Sequence, residues 1–440
     1  MRIHSLNPCP ENLPGHGRLV LAFSGGADST ALAALLAASR IKRDIVCVHV
    51  DHGIDPQSAE RAEAASSIAA RIELPFVTEQ VLVDTTGNQE AAARRARYAA
   101  LSKHVRAGDC LLTAHHADDQ VETIFLRLLR GAGPGGLAGI PRERRFGKAW
   151  VVRPLLDWTR TELQDHCRQK GLDWIEDPSN DCLTADRNFL RHQILPVLRG
   201  RWPGLDQSVL RSGRLSGQAA RSIEAFIRPH LSSAMASRNR LDAHYLQTLS
   251  ELELAEAIRV WCQDNVGGAP PGKRLDEFLL QVRTSEQDQI PEMRWQRSIV
   301  RFWNRNFWLD SKGLIQNYAM DWQIDRALSL PENLGRLQMN GSVKAPPLAL
   351  RVRSGRSGER LKLSDKASTR RVKDLLRERR IPPWQRDLWP RIYHEDKLLA
   401  VGDRWIDHSF AHWLKNQQLE LKWHAVDFGP NSTERNEDEP

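Results

Sequence analysis

From Arg18 to about Leu198 short apolar runs alternate with amphipathic stretches, and that rhythm leaves few folds open. RLVLAF (18–23), DIVCVHV (44–50), LPFVTEQVLV (74–83) and DCLLTA (109–114) read as strands. The stretches 29–39, 57–71, 88–105 and 118–130 carry helical periodicity. Apolar strands separated by helices predict a doubly wound α/β domain, a parallel sheet covered on both faces. In such a domain ligands bind outside the carboxyl ends of the strands.

The rhythm stops near residue 208, and at 440 residues the chain is long enough for about three domains. SELELAEAIRVWCQDN (250–265) and RLDEFLLQV (274–282) predict a mostly helical middle domain over 209–330. The Pro/Gly-punctuated stretch 330–347 reads as a strand-and-turn connection into a small basic α+β domain over 331–428. Residues 429–440 read as a disordered tail. Trp261, Trp295, Trp303 and Trp308 lie in apolar patterns and are read as core.

The formal charge of +8 favours polyanionic partners, and it is concentrated: residues 351–391 hold 14 Lys and Arg against 5 Asp and Glu. Arg370, Arg371, Lys373, Arg377 and Arg380 are the candidate nucleic-acid contacts, with a solvated amphipathic helix as the bland alternative. Six scattered cysteines never form C-x-x-C, which argues against a zinc site or a disulfide framework and fits the cytoplasm. No signal core or membrane span is visible.

The first strand runs straight into Ser24-Gly25-Gly26-Ala27-Asp28-Ser29. Glycines there let backbone N–H groups approach a phosphate, and the following helix offers its positive N-terminus to the same anion. No Gly-Lys-Ser/Thr follows, so this is not a Walker A loop. After the fourth strand, His115, Asp118, Asp119 and Glu122 fall at i, i+3, i+4 and i+7 on one helix face. Carboxylates so crowded repel unless a cation neutralises them, and Mg²⁺ or a cationic substrate would serve. Val121, Ile124, Phe125 and Leu128 form a second stripe, expected to anchor this helix to the sheet.

S-G-G-x-D-S is the signature of the ATP pyrophosphatases, which cleave ATP between its α- and β-phosphates and transfer AMP to an oxygen. HVDHG (49–53), EAAARRARYAAL (90–101), HHADDQVET (115–123), GAGPGGLAGI (131–140), RPLL (153–156) and EDPSN…DRNFLRHQILP (176–196) narrow the choice. Together with the basic segment 370–392 they resemble the tRNA(Ile)-lysidine synthetase family over nearly the whole chain.

That resemblance implies a ligase that adenylates C2–O of the wobble cytidine in the CAU anticodon of an isoleucine tRNA, then joins free L-lysine to C2 and expels AMP. It implies that Asp119 and Glu122 grip the lysine ammonium groups or share the metal; Ser24 to Ser29 suit ATP binding, and Asp28 and Asp118 are the candidate Mg²⁺ ligands. His115 is a candidate base, and Arg94 and Arg187 are expected to meet phosphate, base or intermediate. His49, Asp51 and His52 would lie by the adenosine, and GAGPGG is either a gating loop or a plain turn. The rivals are a related thiolating enzyme, which typically uses paired cysteines lacking here, and a tRNA-binding protein without activity. A homodimer stays open.

Overall fold

The computed structural model describes residues 13–53, 57–82, 89–176, 185–286, 289–311, 317–331, 334–341, 348–356, 358–365 and 368–425. Cys9, Cys182, the DPSN segment and the tail 429–440 lie outside them. The chain divides into two compact units, Met1–Ser222 and Ile223–Pro440.

The first unit follows the predicted rhythm: β1 (Leu19–Ala22), α1 (Ala27–Ala37), β2 (Ile45–Asp51), α2 (Ser58–Arg71), β3 (Phe76–Gln80), α3 (Gln89–His104), β4 (Cys110–Leu112) and α4 (Ala117–Leu129). A short helix α5 (Pro134–Leu137) and a hairpin, β5 (Glu143–Phe146) with β6 (Ala149–Val152), come next. The sheet order is β3-β2-β1-β4-β6-β5, with every pair parallel except β5 with β6. The order reverses between β1 and β4, so their C-terminal ends flank the switch point where such folds bind ligands. Leu19, Leu21, Leu32, Leu36 and Leu112 are buried on one face, and Val20, Leu111, Leu101 and Val151 on the other.

The opposite, N-terminal ends of β1 and β4 are held by one carboxylate. Asp109, buried, accepts the Arg18 N–H at 2.8 Å on one oxygen and the Arg106 N–H at 2.9 Å on the other. It thereby sets the start of β1 against β4.

After the sheet come α6 (Arg160–Gln169), α7 (Asp186–Phe189), a π-helical turn (Leu190–Ile194), α8 (Leu195–Arg201) and the long α9 (Leu205–Ala234). The boundary expected after residue 208 falls inside α9. The apolar stripe of α4 also has a different partner from the one expected. Val121 and Phe125 pack with Leu190, Leu195, Leu205 and Val209, and Leu128 is 56% exposed. The stripe therefore anchors α4 to the segment 190–209 and not to the sheet.

The second unit contains two separate cores. The first has the expected helices, Glu251–Val266 and Gly272–Thr284, and adds a five-stranded antiparallel sheet, 235–237, 240–242, 306–311, 298–303 and 292–295 in spatial order. These strands are short, three of their links are tight turns and the fourth carries both helices, so helical period dominated the sequence pattern. Trp261, Trp295 and Trp308 are core as expected, and Trp303 is half-buried.

Strand Ala319–Gln323 pairs with Ala349–Arg353, and Trp322, Ile324 and Leu330 belong to the last core. Helix 372–378 buries Val372, Leu375 and Leu376 there.

Replacing Asp109 by Ala strips two backbone N–H groups of their partner. The expected cost is about 2–4 kcal/mol, read as an earlier thermal unfolding transition. A transition at the wild-type temperature would remove Asp109 as the clasp between β1 and β4.

Candidate functional site

The phosphate-loop geometry is built by backbone. Gly25 has φ +79°, and a Cβ there would lie 2.5 Å from Ile175 Cδ1 and 3.2 Å from Ala65 Cβ. Its carbonyl accepts the Ile175 N–H at 2.9 Å, so the loop is clamped from behind. Gly26 precedes α1 with no side chain capping the helix, and a Cβ there meets nothing closer than 3.5 Å. The space in front of that helix end is therefore open to an anion. Ser24 Oγ and Ser29 Oγ lie 3.1 Å apart across the loop.

One residue joins this loop to α4, and it is not the histidine singled out from the sequence. His116, 2% exposed, sits with Nε2 3.5 Å from Asp28 and 3.6 Å from Asp119, and Nδ1 3.5 Å from Asp118. Burial opposes its charge, but the contacts with Asp118 and Asp28 and the field of Asp119 outweigh it and hold the pKa up to about 10. His116 is an imidazolium that ties the loop carboxylate to two helix carboxylates.

The carboxylates of α4 are neutralised from within the chain. Arg191 forks onto Glu122, Nε to Oε1 at 2.6 Å and Nη2 to Oε2 at 2.9 Å, and Nη2 lies 3.5 Å from Asp119. Arg187 adds Nε at 3.2 Å from Glu122 and donates to Thr123 Oγ1 at 2.9 Å. Asp118 accepts the Arg160 N–H at 3.0 Å and Arg199 at 2.8 Å. Glu122 is 1% exposed, so its two arginines offset what would otherwise be a buried bare charge. Arg191 was missed from the sequence, although it stands four residues after Arg187 on the same helical run. It lies in the π-turn, a departure from α geometry that recurs at functional sites.

His115 faces the other way. Its Nδ1 is 2.9 Å from Thr113 Oγ1, and burial pushes its pKa down to about 4 against the pull of Asp119. Arg153, Arg94 and Arg187 also disfavour its charge. At neutral pH it is an uncharged imidazole with a free lone pair but a low proton affinity. Arg94 is exposed on α3, over the Tyr98 ring at 5.1 Å.

At the end of β2, His49 Nδ1 lies 3.0 Å from Phe23 O, and Asp51 accepts the Gly53 N–H at 2.9 Å. Both therefore shape the strand end. The 131–140 stretch is tied to α4: Gln120 exchanges two 2.7 Å hydrogen bonds with Ile140, and Arg127 donates to Gly136 O and Gly139 O. That favours the turn over the gate.

Asp28 tests the fit of a metal. Its Oδ1 is buried without a hydrogen-bond partner, and a hard oxygen donor of that kind fits Mg²⁺. Both Asp118 oxygens are engaged, and no cluster of three metal-binding side chains occurs among the described residues. The described cysteines, Cys47, Cys110, Cys167 and Cys262, are buried. Burial pushes the Cys47 thiol up to about 12 and that of Cys167 to about 11, and it raises Cys110 and Cys262 as well. None of the four is a ready thiolate for sulfur chemistry. No described helix is long and apolar enough to cross a membrane.

In the second unit Arg371, Lys373, Arg377 and Arg380 are exposed on or beside helix 372–378, and Arg370 pairs with Glu378.

A PP-loop domain model matches residues 3–198, a TilS substrate binding domain 241–306 and a TilS substrate C-terminal domain 350–423. The tRNA(Ile)-lysidine synthase of Vibrio parahaemolyticus is 34% identical over 418 residues, 92% of this chain and 94% of its own. That of Vibrio campbellii is 35% identical, covering 92% and 95%. The chain belongs to the tRNA(Ile)-lysidine synthase family. The family's Xanthomonas campestris pv. campestris member is 33% identical, covering 93% and 95%. Among solved structures, the U34-tRNA thiolase NcsA of Methanococcus maripaludis aligns with TM-score 0.41 at 18% identity, over 48% of this chain and 76% of that one. It is too distant to bear on function.

His116 gives this lysidine synthase family member a pH signature. A pKa raised on folding stabilises fully below the unfolded value near 6.5 and stops doing so as pH rises through about 10. The gap in thermal midpoint between wild type and H116Q is expected to be wide at pH 6 and narrow above pH 10. A gap independent of pH would mean that His116 is not charged in the fold.

Proposed function

We propose that this chain is an ATP-using tRNA-modifying ligase that turns the wobble cytidine of an isoleucine tRNA with a CAU anticodon into lysidine. One observation carries the reading. In a lysidine synthase family member, a phosphate-ready loop and a buried acid–arginine face are joined through His116 within one unit.

The loop Ser24–Ser29 receives the β- and γ-phosphates of ATP on backbone N–H groups and the α1 terminus. The cytidine O2 attacks the α-phosphorus, the bond to the bridging oxygen breaks, and pyrophosphate leaves on the loop. Asp28, with its unpaired buried oxygen, is the residue to hold Mg²⁺, and Asp118 is the weaker choice because both its oxygens are taken. A magnesium ion bound there would offset phosphate charge.

In the second step the ε-nitrogen of lysine forms a bond to C2 and AMP departs with the oxygen. Asp119 and Glu122 receive the ammonium groups, and Arg187 and Arg191 yield part of their hold on Glu122 as lysine enters. The attacking nitrogen must first shed a proton, and His115, neutral at pH 7, accepts it. The reaction belongs in the cytoplasm, where tRNA, ATP and lysine are found together.

The deciding assay supplies the isoleucine tRNA, ATP and each amino acid in turn. AMP is expected with lysine alone, and silence with every amino acid would favour a binding protein. E122Q is expected to raise the lysine KM roughly 10- to 100-fold. H115A is expected to slow the second step by about 10²-fold or more while pyrophosphate release continues. An unchanged second step would remove His115 as the base.

Neutralising Arg371, Arg377 and Arg380 together tests the basic helix. The slope of log affinity for tRNA against log salt is expected to fall by about 2–3. An unchanged slope would leave these arginines as solvated surface.

A further inference from the structure

At the C-terminal end of β6 three arginines gather around one tyrosine, and among the described residues no carboxylate pairs with any of them. Arg153 follows β6 directly and is 2% exposed. Its Nη1 donates to Pro141 O at 2.7 Å, and its Nε is buried without a hydrogen-bond partner. Arg94 and Arg144 lie against the Tyr98 ring, 5.1 and 5.4 Å from its centroid, and both are exposed. Burial alone would raise the Tyr98 pKa, yet Arg94, Arg153 and Arg144 bring it below the usual phenol value. Each also disfavours the charge on Arg153 or His115.

Arg187 offers the contrast, since it answers to Glu122. Among the described residues none of the other three has an ion pair. A guanidinium out of water costs several kcal/mol unless an anion meets it, and like charges nearby add to that cost. Such a cluster is costly to keep without an anion, and it gains when a ligand brings the missing charge.

We propose that Arg153, with Arg94 and Arg144 at its rim, forms a phosphate subsite for the RNA phosphodiester flanking the acceptor cytidine. The proposal rests on the tRNA-modifying reading above. A phosphate of ATP has the same chemistry, but the sheet order argues against it. The ATP loop follows β1, and β4 stands between β1 and β6, so the two sites are two strand spacings apart, about 10 Å. An exposed rim over a buried charge is open to a polymer, and His115 lies within the field of both Arg94 and Arg153. The subsite would hold the strand at the side of the site where the base is found.

The test is a chemical double-mutant cycle on the full chain. The isoleucine tRNA is prepared with one uncharged methylphosphonate, either 5′ or 3′ of the target cytidine, and its Kd is measured with wild type, R144M and R153M. R144M alters an exposed side chain, so it reports even if R153M fails to fold. Each single change is expected to weaken RNA binding about 10-fold, and at one linkage the protein and RNA changes together should lose no more than either alone. The KM for ATP should stay within about twofold.

Additive losses at both linkages would overturn the proposal. So would a raised KM for ATP with unchanged RNA affinity, which would assign the cluster to an ATP phosphate. The lysidine reading fails separately, if wild type forms no lysine-dependent AMP, and the RNA Kd still reads the subsite.

Discussion

The site depends on keeping one imidazolium charged in a place that water does not reach. His116 is enclosed by Asp28 from the β1–α1 loop and by Asp118 and Asp119 from α4. Remove the charge, and three carboxylates from two elements face each other across the switch point of the sheet. With it, the loop and the helix are held at one spacing before any substrate binds. That is preorganisation in a concrete sense: the electrostatic cost of assembling the acids is met by folding and not by the ligand.

The same logic extends outward along the helix. Asp118, Asp119 and Glu122 each draw an arginine from the 187–199 stretch, and the apolar side of α4 packs on residues from that same stretch. The segment after the sheet is therefore part of the site's wall, not a connection to the next domain. The π-turn at 190–194 sets the angular offset between Arg187 and Arg191, and both reach Glu122.

Much of this was legible in the sequence, and the failures have physical causes. Strand runs and helix period gave the parallel sheet, because both signals are local. The loop was legible because Gly25 needs a positive φ and Gly26 needs no side chain. His116 was passed over because helical spacing from the acids favours His115, whereas His116 precedes the first helical turn and reaches the acids by its backbone position. The neutralising arginines were invisible for a different reason: they lie about 70 residues downstream, and pairing at that distance leaves no periodic trace. The sheet of the second unit was missed because its short strands pair through tight turns without a long alternating run. The pairing of strand 319–323 with 349–353 was not legible because the partner lies beyond a Pro/Gly-rich stretch.

His115 shows what the two halves of the site do to a single group. Asp119 on one side favours its protonation, while burial and Arg153, Arg94 and Arg187 on the other oppose it, and the opposition wins. The neighbouring His116, one residue on, has the reverse balance because acids surround it on three contacts. Two adjacent histidines thus carry opposite protonation at the same pH, one fixed as a cation that holds the frame and one left neutral with a lone pair to use. A ligand that brings negative charge to the arginine side would raise the proton affinity of His115 as it binds. On the reading proposed above, the neutral histidine would then be a stronger base with the RNA in place than without it, which would couple proton transfer to a correctly seated substrate.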